Sequence, residues 1–181
     1  RTALVGQFFA SFDPIAIRNS EVLFWTTADA PRGRVIAMPL ARPEKANWRT
    51  IIPEATDAVL ESVSLGAGHL FCVHTEDVTA KLRAYTLEGK LAREIALPGP
   101  GTVLLQQNDY ATGELEQYYG FGSYLQPMTW YRYDWRSGRS EPSVNNDYPF
   151  QADRFETRLV FYTSKDGTRV PLFVSGRKGL A

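Results

Sequence analysis

The sequence predicts an all-β chain: about three four-stranded antiparallel blades of a β-propeller, followed by a single β-hairpin. Three observations carry that expectation. Aromatic and apolar segments recur at a fixed spacing, each is followed by a polar turn and a second such segment, and the recurrence stops near residue 143. One twisted four-stranded sheet cannot cover both its faces, so a repeat of this length reads as units that stack on their neighbours.

The leading segments of the units are residues 22–25, 69–73 and 116–121. With Leu23, Leu70 and Gln117 taken as equivalent, the separations are 47 and 47 residues. The following segments, 34–40, 81–87 and 128–135, keep the same interval from Arg34 to Lys81 to Met128. Polar turns come next at 43–47, 88–90 and 137–139, and in the first two units a short apolar stretch then ends at Pro53 or Pro98. Preceding strands at 5–12, 58–65 and 102–106 bring each unit to about four strands. Pro53 suits the first position of a helical turn, but residues 53–63 are read as loop and then strand. The blades are expected over about 1–50, 51–100 and 101–145, within a partial propeller of residues 1–150.

Residues 145–150, with two Asn, an Asp and a Pro, read as a connector. Beyond it the period breaks. Residues 155–163 are strand-like, Lys165, Asp166 and Gly167 signal a tight turn, and residues 168–175 form a return strand in which Pro171 favours an edge or irregular position. A lone hairpin is not a stable domain, so residues 151–181 are expected to be a linker and the first hairpin of a truncated second domain. Arg1 in place of an initiator Met, in mid-pattern, suggests a natural N-terminus further upstream.

Composition narrows the function classes. Twenty Lys plus Arg balance twenty Asp plus Glu, so no electrostatic footprint for nucleic acid or an anionic membrane is expected. The 44% hydrophobic and 13% aromatic content suits a folded, strand-rich chain. Cys72 is the only cysteine, so an intrachain disulfide is impossible and a reducing, cytoplasmic compartment is weakly favoured, with localisation otherwise open. No run of about 18 apolar residues and no signal peptide is visible.

Residues capable of chemistry are present, but none forms a convincing centre. A nucleophile elbow needs Gly-x-Ser-x-Gly, because the sharp strand-to-helix turn tolerates only small neighbours. Ser123 and Ser175 each have a single flanking glycine and read as turn or strand-end residues. His69 and His74, near Cys72, Glu76 and Asp77, supply metal-ligand types. Strand alternation sends the two histidines to opposite faces, with Cys72 sharing a face only with His74. The glycines of 99–101 and 120–122 lead into no helix and read as turns rather than phosphate loops. Thr129, Tyr131, Tyr133 and Trp135 form a stripe on one strand face, read as blade-to-blade packing. The acidic groups Glu54, Asp57 and Glu61, and Asp109, Glu114 and Glu116, read as solvated edges, and Asp166 as a turn residue. No catalytic, cofactor-binding or metal-binding residue is assigned, and no cofactor is expected.

Several strings resemble a known family. Phe161-Tyr-Thr-Ser-Lys-Asp-Gly-Thr-Arg-Val-Pro-Leu-Phe-Val with Arg177-Lys-Gly-Leu carries most of the likeness. Residues 48–54 with Val59-Leu-Glu, the Glu76-Asp77-Val78 turn, Gly122-Ser-Tyr-Leu-Gln-Pro and Tyr131-Arg-Tyr-Asp add to it. The chain from about Trp48 onward resembles the prolyl oligopeptidase branch of the serine peptidases, while residues 1–47 match mainly in pattern. Oligopeptidase B has a comparable Asp-Gly-Thr hairpin, but the Ser-Lys-Asp-Gly-Thr form is closer to the proline-specific branch. The resemblance implies a seven-bladed propeller capping an α/β-hydrolase domain whose Ser, Asp and His cleave short peptides after proline, with the triad downstream of this chain. Its implied partners are peptide substrates in the parent and the intramolecular hydrolase domain.

The expected function is therefore that of a non-catalytic propeller fragment that limits substrate size in a larger endopeptidase. The alternatives are an interaction-type propeller with no enzyme attached, or a fragment of an oligopeptidase B-like peptidase. Three blades without their neighbours leave faces and edges uncovered, so self-association is expected.

Overall fold

The computed structural model describes residues 9–107, 115–144 and 149–180. They form three four-stranded antiparallel sheets and one two-stranded sheet. Blade 1 contains β1 (Phe12–Arg18), β2 (Glu21–Thr26), β3 (Arg34–Pro39) and β4 (Arg49–Ile52) in that spatial order. Blade 2 contains β5 (Val59–Gly66), β6 (His69–Glu76), β7 (Thr79–Tyr85) and β8 (Leu91–Ile95). Blade 3 contains β9 (Thr102–Leu105), β10 (Glu116–Gly122), β11 (Thr129–Asp134) and β12 (Arg139–Pro142). The hairpin is β13 (Phe155–Thr163) paired with β14 (Arg169–Arg177). Each blade is a meander, in which every strand pairs antiparallel with its predecessor in the chain.

Two apolar seams hold the blades together. Leu23, Val35, Ala37, Ile51 and Ile52 of blade 1 meet Leu60, Val63, Leu70 and Cys72 of blade 2. Phe71, Val73, Leu82, Ala84 and Ile95 from the opposite face of blade 2 meet Val103, Tyr119, Phe121 and Tyr133 of blade 3. The middle blade is thus buried on both faces, which is why β6 reads as a nearly continuous apolar run rather than an alternating one.

The seams correct the register of the repeat. Leu23 of blade 1 points toward blade 2, whereas Leu70 of blade 2 points back toward blade 1. The pairing rows Val22 with Met38, Leu70 with Tyr85 and Gln117 with Tyr133 are the equivalent ones. Val22 lies 48 residues before Leu70, and Leu70 lies 47 before Gln117. In the following strands Tyr85 lies 47 residues after Met38, and Tyr133 lies 48 after Tyr85. Strand side chains alternate with a period of two, so a one-residue slip places an equivalent on the wrong face. The slip also affects Lys81 and Met128, whose side chains belong to opposite faces of their blades.

Two strands lie away from their expected places. The first strand of blade 1 covers Phe12–Arg18, where residues 5–12 were expected; residues 5–8 lie outside the described residues. Pro14 argues against a strand in sequence, but β1 is an edge strand and its register shifts between Pro14 and Ala16, so the missing N–H costs no central ladder bond. Blade 3 has a fourth strand, β12, that carries no apolar pattern because its residues face solvent. By contrast, β2, β6, β10 and β13 begin within a residue of their expected starts. Residues 53–58 form no helix. Pro171 pairs with Phe161 inside a two-stranded sheet, where every strand is an edge.

Candidate functional site

Polar bonds cross both seams alongside the apolar contacts. The Trp25 indole Nε1 donates to the Leu60 carbonyl at 2.7 Å, and the Leu60 amide donates to the Arg32 carbonyl at 2.8 Å. Between blades 2 and 3, Ser64 Oγ donates to the Gln106 carbonyl at 3.0 Å and Gln107 Nε2 to the Val63 carbonyl at 3.2 Å. Gln117 is the polar member of the repeat row and is buried; its Nε2 donates to the carbonyls of Gln106 and Tyr118, both at 2.9 Å. A buried amide with its donors satisfied costs little.

The histidines part as strand alternation predicts. His69 stacks on Trp135 of blade 3 with ring centroids 3.8 Å apart. His74 turns toward the other seam, where its ring lies 5.9 Å from that of Tyr85. Burial is the main force on His74 and lowers its pKa to about 4; the Arg83 charge lowers it further, while Glu76 opposes. Arg83 bonds Glu76 at 2.5 Å and Glu94 at 3.1 Å, and its hydrogen bond holds the Glu76 carboxyl below its usual range. Burial also pushes the Cys72 thiol up, so no thiolate is available there.

The other candidates serve turns and seams. Ser123 Oγ accepts from the amides of Leu125 and Gln126, at 3.2 and 3.1 Å, and closes the β10–β11 loop. Ser175 shares a hydroxyl pair with Thr157 at 2.8 Å across the hairpin. Asp166 accepts the Thr168 amide at 3.0 Å, a bond that lowers its pKa. Glu54 accepts the Arg32 amide, and Glu116 pairs with Arg132. Asp109 and Glu114 lie outside the described residues. Tyr131, Tyr133 and Trp135 of the aromatic stripe pack in the seam against blade 2. These placements bring no nucleophile beside a base.

What the structure does bring together is a cleft. It has a volume of about 740 Å³ and lies where the β6–β7 turn, the β8–β9 loop and the β10–β11 loop meet the hairpin. Val78, Pro100, Met128, Tyr124, Pro171 and Phe173 are among its lining residues. Two contacts bring the hairpin to the blades at this point. The Tyr124 and Phe173 rings lie 5.3 Å apart, and Arg169 faces Asp77 at 3.9 Å. Gly101 lets the β8–β9 loop close against blade 3, since a Cβ there would stand 2.3 Å from the Gly122 carbonyl oxygen. Sequence reasoning named the residues of the hairpin and of the Glu76-Asp77-Val78 turn but not their contact, because nothing local in either segment encodes the other.

Stacked four-stranded meanders joined face to face are blades of a β-propeller. The family model for the prolyl oligopeptidase N-terminal β-propeller domain matches residues 2–146, and the chain belongs to this family. It is similar to the prolyl endopeptidase of Elizabethkingia miricola, with 33% identity over 155 residues that cover 86% of this chain and 21% of that protein. It is also 30% identical over 194 residues to the prolyl endopeptidase of Dictyostelium discoideum, covering 97% of this chain and 24% of the relative. A solved structure from a study of two prolyl endopeptidases and their inter-domain dynamics superposes with a TM-score of 0.84 at 36% identity, over 98% of this chain and 26% of that one. The apo form of prolyl oligopeptidase B from Galerina marginata shares the fold, with a TM-score of 0.86 at 24% identity over 98% of this chain and 26% of the other. The chain therefore spans about a quarter or less of the length of these relatives.

Proposed function

We propose that this chain is a non-catalytic portion of a prolyl oligopeptidase-like serine endopeptidase, in which the blades limit substrate size and residues 151–181 open the second, α/β-hydrolase domain. The observation that carries this reading is the outward face of the hairpin. Val160, Tyr162, Leu172 and Val174 are all exposed there, on paired strands, while Phe173 and Arg169 face the blades. An apolar sheet face beside a propeller calls for a further layer of protein to cover it. Family membership supports hydrolase chain as that layer, and the size of the relatives leaves room for it.

In this reading the blades act by exclusion. A wall of stacked sheets over a reaction centre admits short flexible peptides and keeps folded chains and bulk water out, which needs no reactive residue on the blades. Two measurements test it. The purified chain is expected to release no product from a prolyl-amide reporter, and the parent reading frame is expected to carry a Gly-x-Ser-x-Gly elbow within about 150 residues downstream. Turnover abolished by a serine-directed inhibitor would refute the non-catalytic role. A parent without the elbow would leave an interaction-type propeller of the same family.

A further inference from the structure

Three blade hairpins turn through consecutive left-handed residues. These are Asn19 and Ser20 (φ 48° and 63°), Ala67 and Gly68 (48° and 71°), and Asp77 and Val78 (44° and 59°). The tight turn they make favours Asn, Asp or Gly, whose small or self-bonding side chains tolerate positive φ. Val78 departs from that chemistry. A β-branched side chain in the left-handed region is strained, and strain of this kind persists only where something else compensates it. Gly68, in the neighbouring turn of the same blade, meets the same geometry without strain.

The compensation is not core packing. Val78 is 48% exposed and belongs to neither seam. It lines the cleft whose other walls include Met128, Pro171 and Phe173. Its neighbour Asp77 faces Arg169, whose guanidinium lies 3.3 Å from the centre of the Phe161 ring. No described residue of the hairpin strands is buried, so the hold of the blades on the hairpin is confined to a few surface contacts of this kind.

We propose that the Asp77–Val78 turn is a clasp for the terminal hairpin, held left-handed so that it presents a carboxylate to Arg169 and an apolar branch to the wall of Pro171 and Phe173. When the clasp lets go, the hairpin leaves the blades as one unit and the cleft opens. The clasp goes beyond the peptidase reading and does not depend on it, because both of its halves lie within this chain. Its two halves respond differently to solvent. The Asp77 and Arg169 side chains are largely exposed, so salt weakens that half, while the apolar half is insensitive to salt.

Hydrogen exchange read by mass spectrometry on the 181-residue chain tests the clasp. A two-stranded hairpin is not stable by itself, so amides of β13 and β14 exchange when it detaches. Val78→Gly removes the strain and the apolar branch together. The blades of this variant are expected to be protected at least as well as before, while the hairpin exchanges several-fold faster. Asp77→Asn and Arg169→Gln are each expected to speed hairpin exchange by about two- to five-fold, and the double variant no more than either alone. Raising salt from about 0.05 to about 0.5 M should reproduce this in the native chain and not in the double variant. The proposal is overturned if Val78→Gly leaves hairpin exchange unchanged, or if any of these variants loosens blades and hairpin equally.

Discussion

Arg93 of the middle blade reaches across the seam and donates to Tyr133 Oη at 2.8 Å and to the Trp135 carbonyl at 2.9 Å, both in blade 3. The same guanidinium lies 4.5 Å from the centre of the Trp135 ring, on which His69 also stacks. One side chain thus joins two blades by hydrogen bonds and by a cation–π contact. Arg93→Ala is expected to destabilise the chain by about 2 kcal/mol. Arg93→Lys should recover little of it, because an ammonium cannot hold two acceptors in a planar fork while stacking on an indole. Chemical denaturation measures both variants, and a lysine variant as stable as the native chain would contradict this account.

The His74 environment gives stability a dependence on pH. Its folded pKa of about 4 lies below the ordinary value of 6.5, so between those values the unfolded chain binds more protons than the folded one. The contribution is complete above pH 6.5 and is lost as pH falls toward 4. His74→Gln should flatten the curve in that window, by roughly 2 kcal/mol after allowing for partial solvent access. Acid loss in the variant should begin lower, where Glu76 is protonated and its bond to Arg83 fails. Denaturant midpoints measured from pH 7.5 to about 3.5 separate the two steps. An unchanged slope between pH 6.5 and 4 in the variant would assign the loss to other groups.

Two glycines distinguish backbone conformation from close approach. Gly89 and Gly68 both have positive φ, 84° and 71°. A Cβ at Gly89 would stand 1.8 Å from the Ile51 carbonyl oxygen of blade 1, whereas nothing lies within 4 Å of one at Gly68. Gly68→Ala should therefore cost about 1 kcal/mol, the strain of the turn alone. Gly89→Ala should cost roughly 3 kcal/mol or more, because blade 1 must move. Equal losses in the two variants would mean that the loop around Gly89 yields freely.

How much of this was legible in the sequence follows from how far each feature reaches along the chain. The strands β2, β6, β10 and β13 were readable because aromatic and β-branched runs bounded by polar turns encode a strand locally. The period was readable too, but its register was not. Leu23 and Leu70 look alike in composition, and only the seam tells that they face each other rather than the same way. The first strand was displaced because Pro14 masked it, and β12 was invisible because an outer strand with no buried face has no pattern to show. Arg93 gave no signal at all. A surface-type residue in an exposed-looking strand becomes a seam residue only through Tyr133 and Trp135, 40 and 42 residues away. His69 and His74 fall on the opposite faces that the sequence suggests, because alternation along a strand is a local rule.

The two outer faces of the stack differ, and this decides how the chain should associate. On blade 1, Val22, Phe24, Ile36 and Met38 are buried with Phe12 and Trp48 against them. On blade 3, Leu104 is 50% exposed and Trp130 39%, and they meet in one row across β9, β10 and β11, with Gly120 between them. The same face carries the ion-paired Glu116, Arg132 and Glu141, and the apolar patch beside them attracts another such patch in water. Among the described residues only one of the two outer blade faces leaves such a patch open, so contact of blade 3 with blade 3 closes a two-fold dimer, whereas a filament of stacked blades would need both ends. Light scattering over a concentration series should show the mass rising to twice that of one chain and levelling there. Trp130→Glu with Leu104→Glu should return it to a monomer, since four like charges would then face one another across the two-fold. A native chain that stays monomeric at high concentration would contradict the open face of blade 3, and a mass that climbs past the dimer would bring in the exposed hairpin face of Val160, Tyr162, Leu172 and Val174.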